Sequence, residues 1–248
     1  MTLSAVILTY NESDTIRACI DSVRWTDKVI VFDSFSTDDT VKIAAAAGAQ
    51  VIQHRFENYT RQRNAALDSV HDDWILFVDA DERSSPEQAQ EIRALIADSR
   101  FDGYWIPRHN YIFGKLTRHT GWYPDYQLRL LRRAKAHYDE SREVHELVVL
   151  EGEAGYLKTP LIHYNYRDLQ QFIRKQERYT DYAAQEMFRQ GTRVKPQNYL
   201  LQPLRHFWWR FVTLQGYRDG LHGLRLSLLM AWYEYQKYVR LKRIWRDG

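Results

Sequence analysis

The sequence predicts an α/β protein with a mostly parallel central sheet flanked by helices and a C-terminal helical appendage. Three observations predict this. The apolar runs Ala5–Leu8 and Trp74–Val78 read as buried strands, and the second, of full strand length, shows no polar alternation, as strands covered on both faces do. Strand and helix signals alternate through the first hundred residues, which implies right-handed crossovers and parallel pairing. The pattern breaks after Gly103 and again at Lys195-Pro196, beyond which two long aromatic helices are expected.

The elements follow in order. Leu3–Thr9 reads as a buried strand, and Asn11 is placed to cap a helix through Arg24 with Ile16, Ile20 and Val23 inward. Lys28–Asp33 is the second strand. Ser36 and Asp39 have capping-box spacing before a helix over Val41–Ala47, which Gly48 ends; Asp38 and Asp39 read as capping groups. Gln50–Gln53 is a short third strand, Asn58 or Thr60 opens a third helix through Val70, and Trp74–Asp79 is the fourth strand. A helix from Pro86 to Asp98 follows, proline suiting the first turn. Then come short strands at Tyr104–Pro107, Tyr111–Phe113, Gln127–Leu131 and Leu161–Tyr164. An amphipathic helix over Asp168–Phe188 is expected to turn Leu169, Phe172, Ile173, Tyr179, Ala183 and Met187 inward. The last two helices are Tyr199–Gln215 and Leu221–Arg240.

Composition excludes several classes. Among 248 residues, 44% are hydrophobic, enough for a core. Cys19 is the single cysteine, so neither an internal disulfide nor a cysteine zinc site is available; its apolar helical setting makes it a core thiol. A glycine-rich dinucleotide fingerprint and a P-loop are both missing, against nicotinamide chemistry and P-loop hydrolysis. No apolar stretch approaches the ~20 residues of a spanning helix, and Met1–Ser4 lacks a basic leader, so a cytoplasmic location is expected. The net charge of +3 is uneven: residues 196–248 hold nine Lys/Arg against three acids, net +6, leaving −3 for residues 1–195. That end also holds 11 of the 35 aromatics. A basic, aromatic end suits an anionic surface.

The chemistry gathers at strand ends. Strands one, two and four lead into Thr9-Tyr10-Asn11-Glu12, Asp33–Asp39 and Asp79-Ala80-Asp81-Glu82. In a sheet ordered 3-2-1-4 these ends converge on one crevice, where open α/β sheets bind ligands. That crevice would be acidic and repel a bare diphosphate, a conflict that a divalent cation removes by binding carboxylates and phosphates together.

Those three turns, with Arg61-x-x-Asn64, resemble family 2 glycosyltransferases of the GT-A nucleotide-diphospho-sugar transferase fold. Downstream, Gly121-Trp122-Tyr123-Pro124-Asp125, Gln127-x-Arg129-Leu130, Val144-His145-Glu146 and Ile162-His163-Tyr164 resemble a bacterial subgroup that includes lipopolysaccharide inner-core β-1,4-glucosyltransferases. The resemblance implies a nucleotide-sugar-binding half over residues 1–102, an acceptor-binding half over 103–194 and C-terminal helices over 195–248. It implies that Thr9, Tyr10, Asn11 and Glu12 line the base and ribose, that Asp33 accepts from a base N–H and favours uracil, and that Arg61 and Asn64 lie near the base or diphosphate. Asp79 and Ala80 would approach the ribose or the metal. Asp81 would be the main ligand of Mn²⁺ or Mg²⁺, with Asp79 and His163 as further candidate ligands. Inverting transfer requires a base to take the acceptor proton. Glu146 is the first choice and Asp125 the second, because the Glu-Asp pair frequent in the family has no clear counterpart. Trp122 would stack on a sugar, while Arg129 and His145 would contact acceptor.

The expected function is metal-dependent transfer of glucose or a related hexose from a UDP-sugar to a glycolipid such as a lipopolysaccharide core, at the cytoplasmic face of the inner membrane. The terminal helices would meet the membrane surface, the catalytic body or a second subunit. A nucleotidyltransferase is the alternative enzyme, but Thr9–Glu12 lacks its Gly-rich, basic first loop. A non-catalytic nucleic-acid binder is the third reading; it leaves the ordered acidic motifs unexplained, so no nucleic-acid partner is expected.

Overall fold

The structure, a computed structural model, describes residues 1–98, 100–140 and 148–247. Its residues cluster into two compact units: Met1–Arg108 with Asp125–His163, and His109–Pro124 with Tyr164–Gly248.

The first unit begins with β1 (Leu3–Thr9), α1 (Ile16–Val23), β2 (Lys28–Asp33), α2 (Thr40–Ala46), β3 (Gln50–Gln53), α3 (Tyr59–Ser69) and β4 (Trp74–Asp79). These four strands are parallel in the order β3-β2-β1-β4. Helices cover both faces. Ile16, Cys19, Ile20 and Val23 pack with Ala5, Ile7 and Leu76 on one side; Ala66, Leu67 and Val70 pack with Val6, Ile75 and Phe77 on the other. Trp74–Val78 are fully buried, which is why that run shows no alternation. After β5 (Glu82–Arg83) and α4 (Pro86–Asp98), most of the pairing is antiparallel. The chain contributes β6 (Gly103–Ile112), β7 (Lys115–Leu116), β8 (Tyr126–Arg132), β9 (Ala136–Tyr138), β10 (Val148–Leu150), β11 (Ala154–Tyr156) and β12 (Leu161–Tyr166). β8 pairs antiparallel with β4 and β6, and β12 pairs antiparallel with β5.

Local chemistry moves three expected elements. Asn11 does not cap α1: the helix starts later, at a Thr15 cap without a side-chain bond, and Asn11 sits at φ 56° with its carbonyl oxygen on Thr37 N. The two strands expected around Arg108 are one, β6. In α5 (Leu169–Arg189) the inward stripe is Phe172, Gln176, Thr180 and Ala184, while Leu169 and Tyr179 are exposed. The stripe rotates because Gln176 finds a buried donor–acceptor partner in Tyr166 Oη at 3.0 Å.

The second unit holds α5, α6 (Asn198–Trp208), a π-helical turn over Trp209–Thr213, and α7 (Gly220–Asp247). Phe172, Leu226, Tyr233, Ile112 and Tyr166 form its core. α7 crosses tightly at Gly223, where a Cβ would stand 1.9 Å from the Gly216 carbonyl oxygen. No described helix is long and apolar enough to cross a membrane.

Candidate active site

The sequence-derived donor-side residues lie in the first unit, at the carboxyl ends of its parallel strands except for Arg61 and Asn64 on α3. β1 and β2 run in register, so Thr9 faces Asp33. Thr9 Oγ1 donates to Asp33 Oδ1 at 3.2 Å. Asp33 also accepts from Ser36 N at 2.9 Å, Ser36 Oγ, and Gln53 Nε2 at 3.2 Å. These four bonds fill the acceptor sites of a carboxylate that is completely buried. Asp33 therefore ties three strand ends together, and a base N–H would have to displace one of those bonds.

The turn above it is similarly braced. Asn11 N donates to Ser36 Oγ at 2.8 Å, and Glu12 N donates to Thr40 Oγ1 at 2.7 Å. The Glu12 carboxylate accepts from Thr15 Oγ1 at 2.7 Å within its own turn. Asp38 accepts from Thr40 N and Ser13 N; burial works against its charge, yet these bonds outweigh it and lower its pKa to about 2. Asp39 occupies the cap position of α2 without a side-chain bond. The braced turns hold out two aromatic rings, Tyr10 and Phe35, both more than half exposed. Phe35 sits at φ 60°. Sequence reading passed over Phe35, because a phenylalanine after a buried strand reads as core; only its left-handed backbone turns it out.

At the end of β4 the acids are sorted. Arg129 grips Asp79 with two bonds, at 3.2 and 2.5 Å, and Arg63 approaches it at 3.5 Å. Burial raises the Asp79 pKa, but Arg129, Arg63 and Arg108 overcome it and hold the carboxylate well below its ordinary range. Glu82 is fully buried; one oxygen accepts from Asp79 N at 2.9 Å and the other meets Arg108 at 3.2 Å. Arg108 continues to Asp125 through bonds of 2.9 and 2.6 Å, and Gln127 Nε2 also reaches Asp125, at 3.1 Å. Burial alone would lower the Arg108 pKa; Glu82 and Asp125 raise it above its ordinary value. Ala80 is buried and its carbonyl accepts from Arg83 at 2.8 Å.

The crevice is thus not the acidic pocket expected from sequence. Asp79, Glu82 and Asp125 are matched by Arg63, Arg108 and Arg129, residues that come from α3, β6 and β8 and give no local signal of pairing. Arg129, expected to contact acceptor, is committed to Asp79 and buried. Asn64, expected near the donor, instead bonds both Tyr138 N at 2.8 Å and Tyr138 O at 3.0 Å, joining α3 to β9. Arg61 lies on the surface and pairs with Glu57 and Glu140.

Asp81 stands apart from this arginine network. Pairing of β5 with β12 sets His163 opposite Glu82, beside the acidic turn. His163 Nε2 and Asp81 Oδ2 are 3.5 Å apart. Two adjacent ligands of one octahedral ion, each bonded at about 2.1 Å, stand about 3 Å apart, so this pair would have to close by about 0.5 Å to share one. The carboxylate oxygen is the donor that suits Mn²⁺ or Mg²⁺; the imidazole nitrogen is a softer donor. Among the described residues, no three His, Cys, Asp or Glu gather around one point. Both oxygens of Asp79, the other expected ligand, are on Arg129. His145 and Glu146 lie outside the described residues.

Trp122 belongs to the second unit, where its ring packs edge-on to Tyr166 and its backbone oxygen accepts from Asn110 at 2.7 Å. Arg210 Nη1 donates to Thr120 O at 2.6 Å, anchoring the same loop.

The model of glycosyl transferase family 2 matches residues 4–164, well over half of the sequence. The chain belongs to glycosyl transferase family 2. This glycosyltransferase is 28% identical over 257 residues to the lipopolysaccharide core biosynthesis glycosyltransferase LpsC of Rhizobium meliloti, covering 96% of this chain and 93% of LpsC. It is also 28% identical over 255 residues to an uncharacterized glycosyltransferase of Rickettsia conorii, covering 97% and 89% of the two chains. The crystal structure of TarS 1–349 from S. aureus superposes with a TM-score of 0.53 at 17% identity, over 97% of this chain and 92% of that one. That likeness concerns the fold, which is of GT-A type.

Proposed function

We propose that this glycosyltransferase inverts the anomeric centre as it moves glucose or a related hexose from a nucleotide-diphosphate sugar to a glycolipid such as a lipopolysaccharide core sugar, at a membrane surface. The observation that carries the reading is the Asp81–His163 pair at the end of β4, the one acid of the Asp-x-Asp turn that no arginine grips among the described contacts. The name of LpsC supports the acceptor class. A UDP-sugar is the donor to test first.

Residues of the chain share the work as follows. Tyr10 and Phe35 offer ring faces to the base, and Asp33 keeps the two turns that carry them rigid. Asp81 and His163 would hold Mn²⁺ or Mg²⁺. Such an ion, when bound, offsets the charge that develops on the leaving diphosphate. Arg63 and Arg129 keep Asp79 from adding an unmatched negative charge beside that diphosphate. The acceptor hydroxyl attacks the anomeric carbon from the face opposite the leaving group, and its proton passes to a carboxylate. Asp125 is held by Arg108 through two bonds, so it would have to leave that partner to reach an acceptor hydroxyl. The base role therefore goes to Glu146.

Asp81→Asn should lower Mn²⁺-supported transfer on the order of 10²- to 10³-fold, with circular dichroism unchanged; transfer at the normal rate removes the metal assignment. Glu146→Gln should lower transfer on the order of 10²- to 10⁴-fold and keep the thermal shift produced by UDP and Mn²⁺. Near-normal transfer by Glu146→Gln returns the base role to Asp125.

A further inference from the structure

Helix α6 and the π turn that continues it have reversed polarity. Their polar residues His206 and Arg210 turn into the second unit: Arg210 Nε donates to His206 Nε2 at 2.7 Å, Arg210 Nη1 donates to Thr120 O at 2.6 Å, and His206 faces Glu234 at 3.8 Å. Their apolar residues turn out. Leu201, Leu204 and Trp208 are exposed, Trp208 by 63%, and no residue of α6 is buried. An amphipathic helix in water hides its apolar stripe; this one turns His206 inward and leaves its leucines and Trp208 outside, with Arg205 beside them. On the neighbouring α7, Leu221, Leu228 and Trp232 are also exposed, Leu221 by 85%.

The charges around these residues have one sign. Asp219 turns inward to His119 at 2.8 Å, and Glu234 turns inward to Lys237 at 2.8 Å. Arg205, Arg218 and Arg225 are exposed. A second copy of the chain docked through this face by two-fold symmetry would bring arginines toward arginines, so like charges would oppose it. An anionic surface meets both properties at once: it accepts the apolar side chains and pairs the guanidinium groups.

We infer that the outward face of α6 and α7 is a seat for an anionic lipid bilayer, with Trp208 and Trp232 at headgroup depth and the leucines inserted below. The helices lie in the interface rather than across it. This deepens the reading of a membrane-held acceptor, and its test uses no sugar, so the two can fail separately.

The test is flotation of the whole protein with vesicles of phosphatidylethanolamine and phosphatidylglycerol, set against phosphatidylcholine alone. The protein should float with the anionic vesicles, less as salt rises, and weakly with the neutral ones. Trp208→Ser should weaken binding roughly tenfold, the value of one inserted apolar side chain. Leu204→Ser/Trp208→Ser/Trp232→Ser should abolish it with circular dichroism unchanged. Arg205→Gln/Arg225→Gln should remove most of the preference for anionic vesicles. Failure of the unaltered protein to float, or flotation of Trp208→Ser equal to it, overturns the inference. So does light scattering that finds a dimer which Trp208→Ser breaks, since a second copy would then cover the face.

Discussion

At the end of β4, acids of β4, β5 and the turn before β8 face arginines of α3, β6 and β8; on α6 and the turn that continues it, His206 and Arg210 point inward beneath a surface of leucine and tryptophan. In the first region the charged groups are gathered and matched at the carboxyl ends of the strands. Arg129, Arg63 and Arg108 match Asp79, Glu82 and Asp125, and Asp81 is left to His163. In the second region the ions are drawn inward and the surface is left apolar. The contrast teaches that buried ion pairs here do not mark catalysis by themselves. What distinguishes the end of β4 is a carboxylate, Asp81, that the arginines leave to His163.

Substitutions can break or sharpen this contrast. The largest effect is expected from Arg129→Met. It removes two charge-assisted bonds from the half-buried Asp79 carboxylate and should cost about 3 kcal/mol, the upper end for hydrogen bonds to a charged group; urea unfolding measures it. A cost below about 1 kcal/mol would mean that Arg129 and Asp79 interact as a solvated surface pair. Arg210→Met should cost less, about 2 kcal/mol, because it leaves Thr120 O without its donor. Burial lowers the Arg210 pKa to about 10, although Glu234 and Tyr166 oppose that, so the residue remains charged at neutral pH. On the outer side of the same helix, Leu204→Ser should change stability by no more than about 0.5 kcal/mol. Equal losses on the two sides would erase the reversed polarity of α6.

A further effect concerns pH. Burial and the Arg210 charge lower the His206 pKa from 6.5 to about 4, against the pull of Glu234. The unfolded chain then binds the extra proton first, so stability falls as pH drops from 6.5 toward about 4. His206→Gln should flatten thermal melting over that window. An unchanged pH profile would place the histidine in water.

The first hundred residues were legible because their signals are local. Strand limits at Leu3–Thr9, Lys28–Asp33, Gln50–Gln53 and Trp74–Asp79 follow from continuous apolar runs ended by polar turns. The α4 limits follow from Pro86 and the periodicity beyond it. The Asn58 cap of α3, one of two residues expected to open that helix, was legible for the same reason: a cap bonds a backbone N–H three residues on. Asn11 misled because its side chain reaches a turn 26 residues away rather than its own helix.

The sequence by itself determined the family, the strand-helix alternation and the order of acidic turns that reach the crevice, since these rest on local periodicity and short motifs. Only the tertiary structure decided which acid is neutralised and which remains open to a ligand. Asp79 and Asp81 are two residues apart and chemically alike, yet their partners, Arg129 and His163, lie 50 and 82 positions away. The same holds for α6, whose apolar stripe is legible in sequence while the direction it faces is not. Periodicity shows that a helix has two faces, and only the groups packed against it show which one is inside.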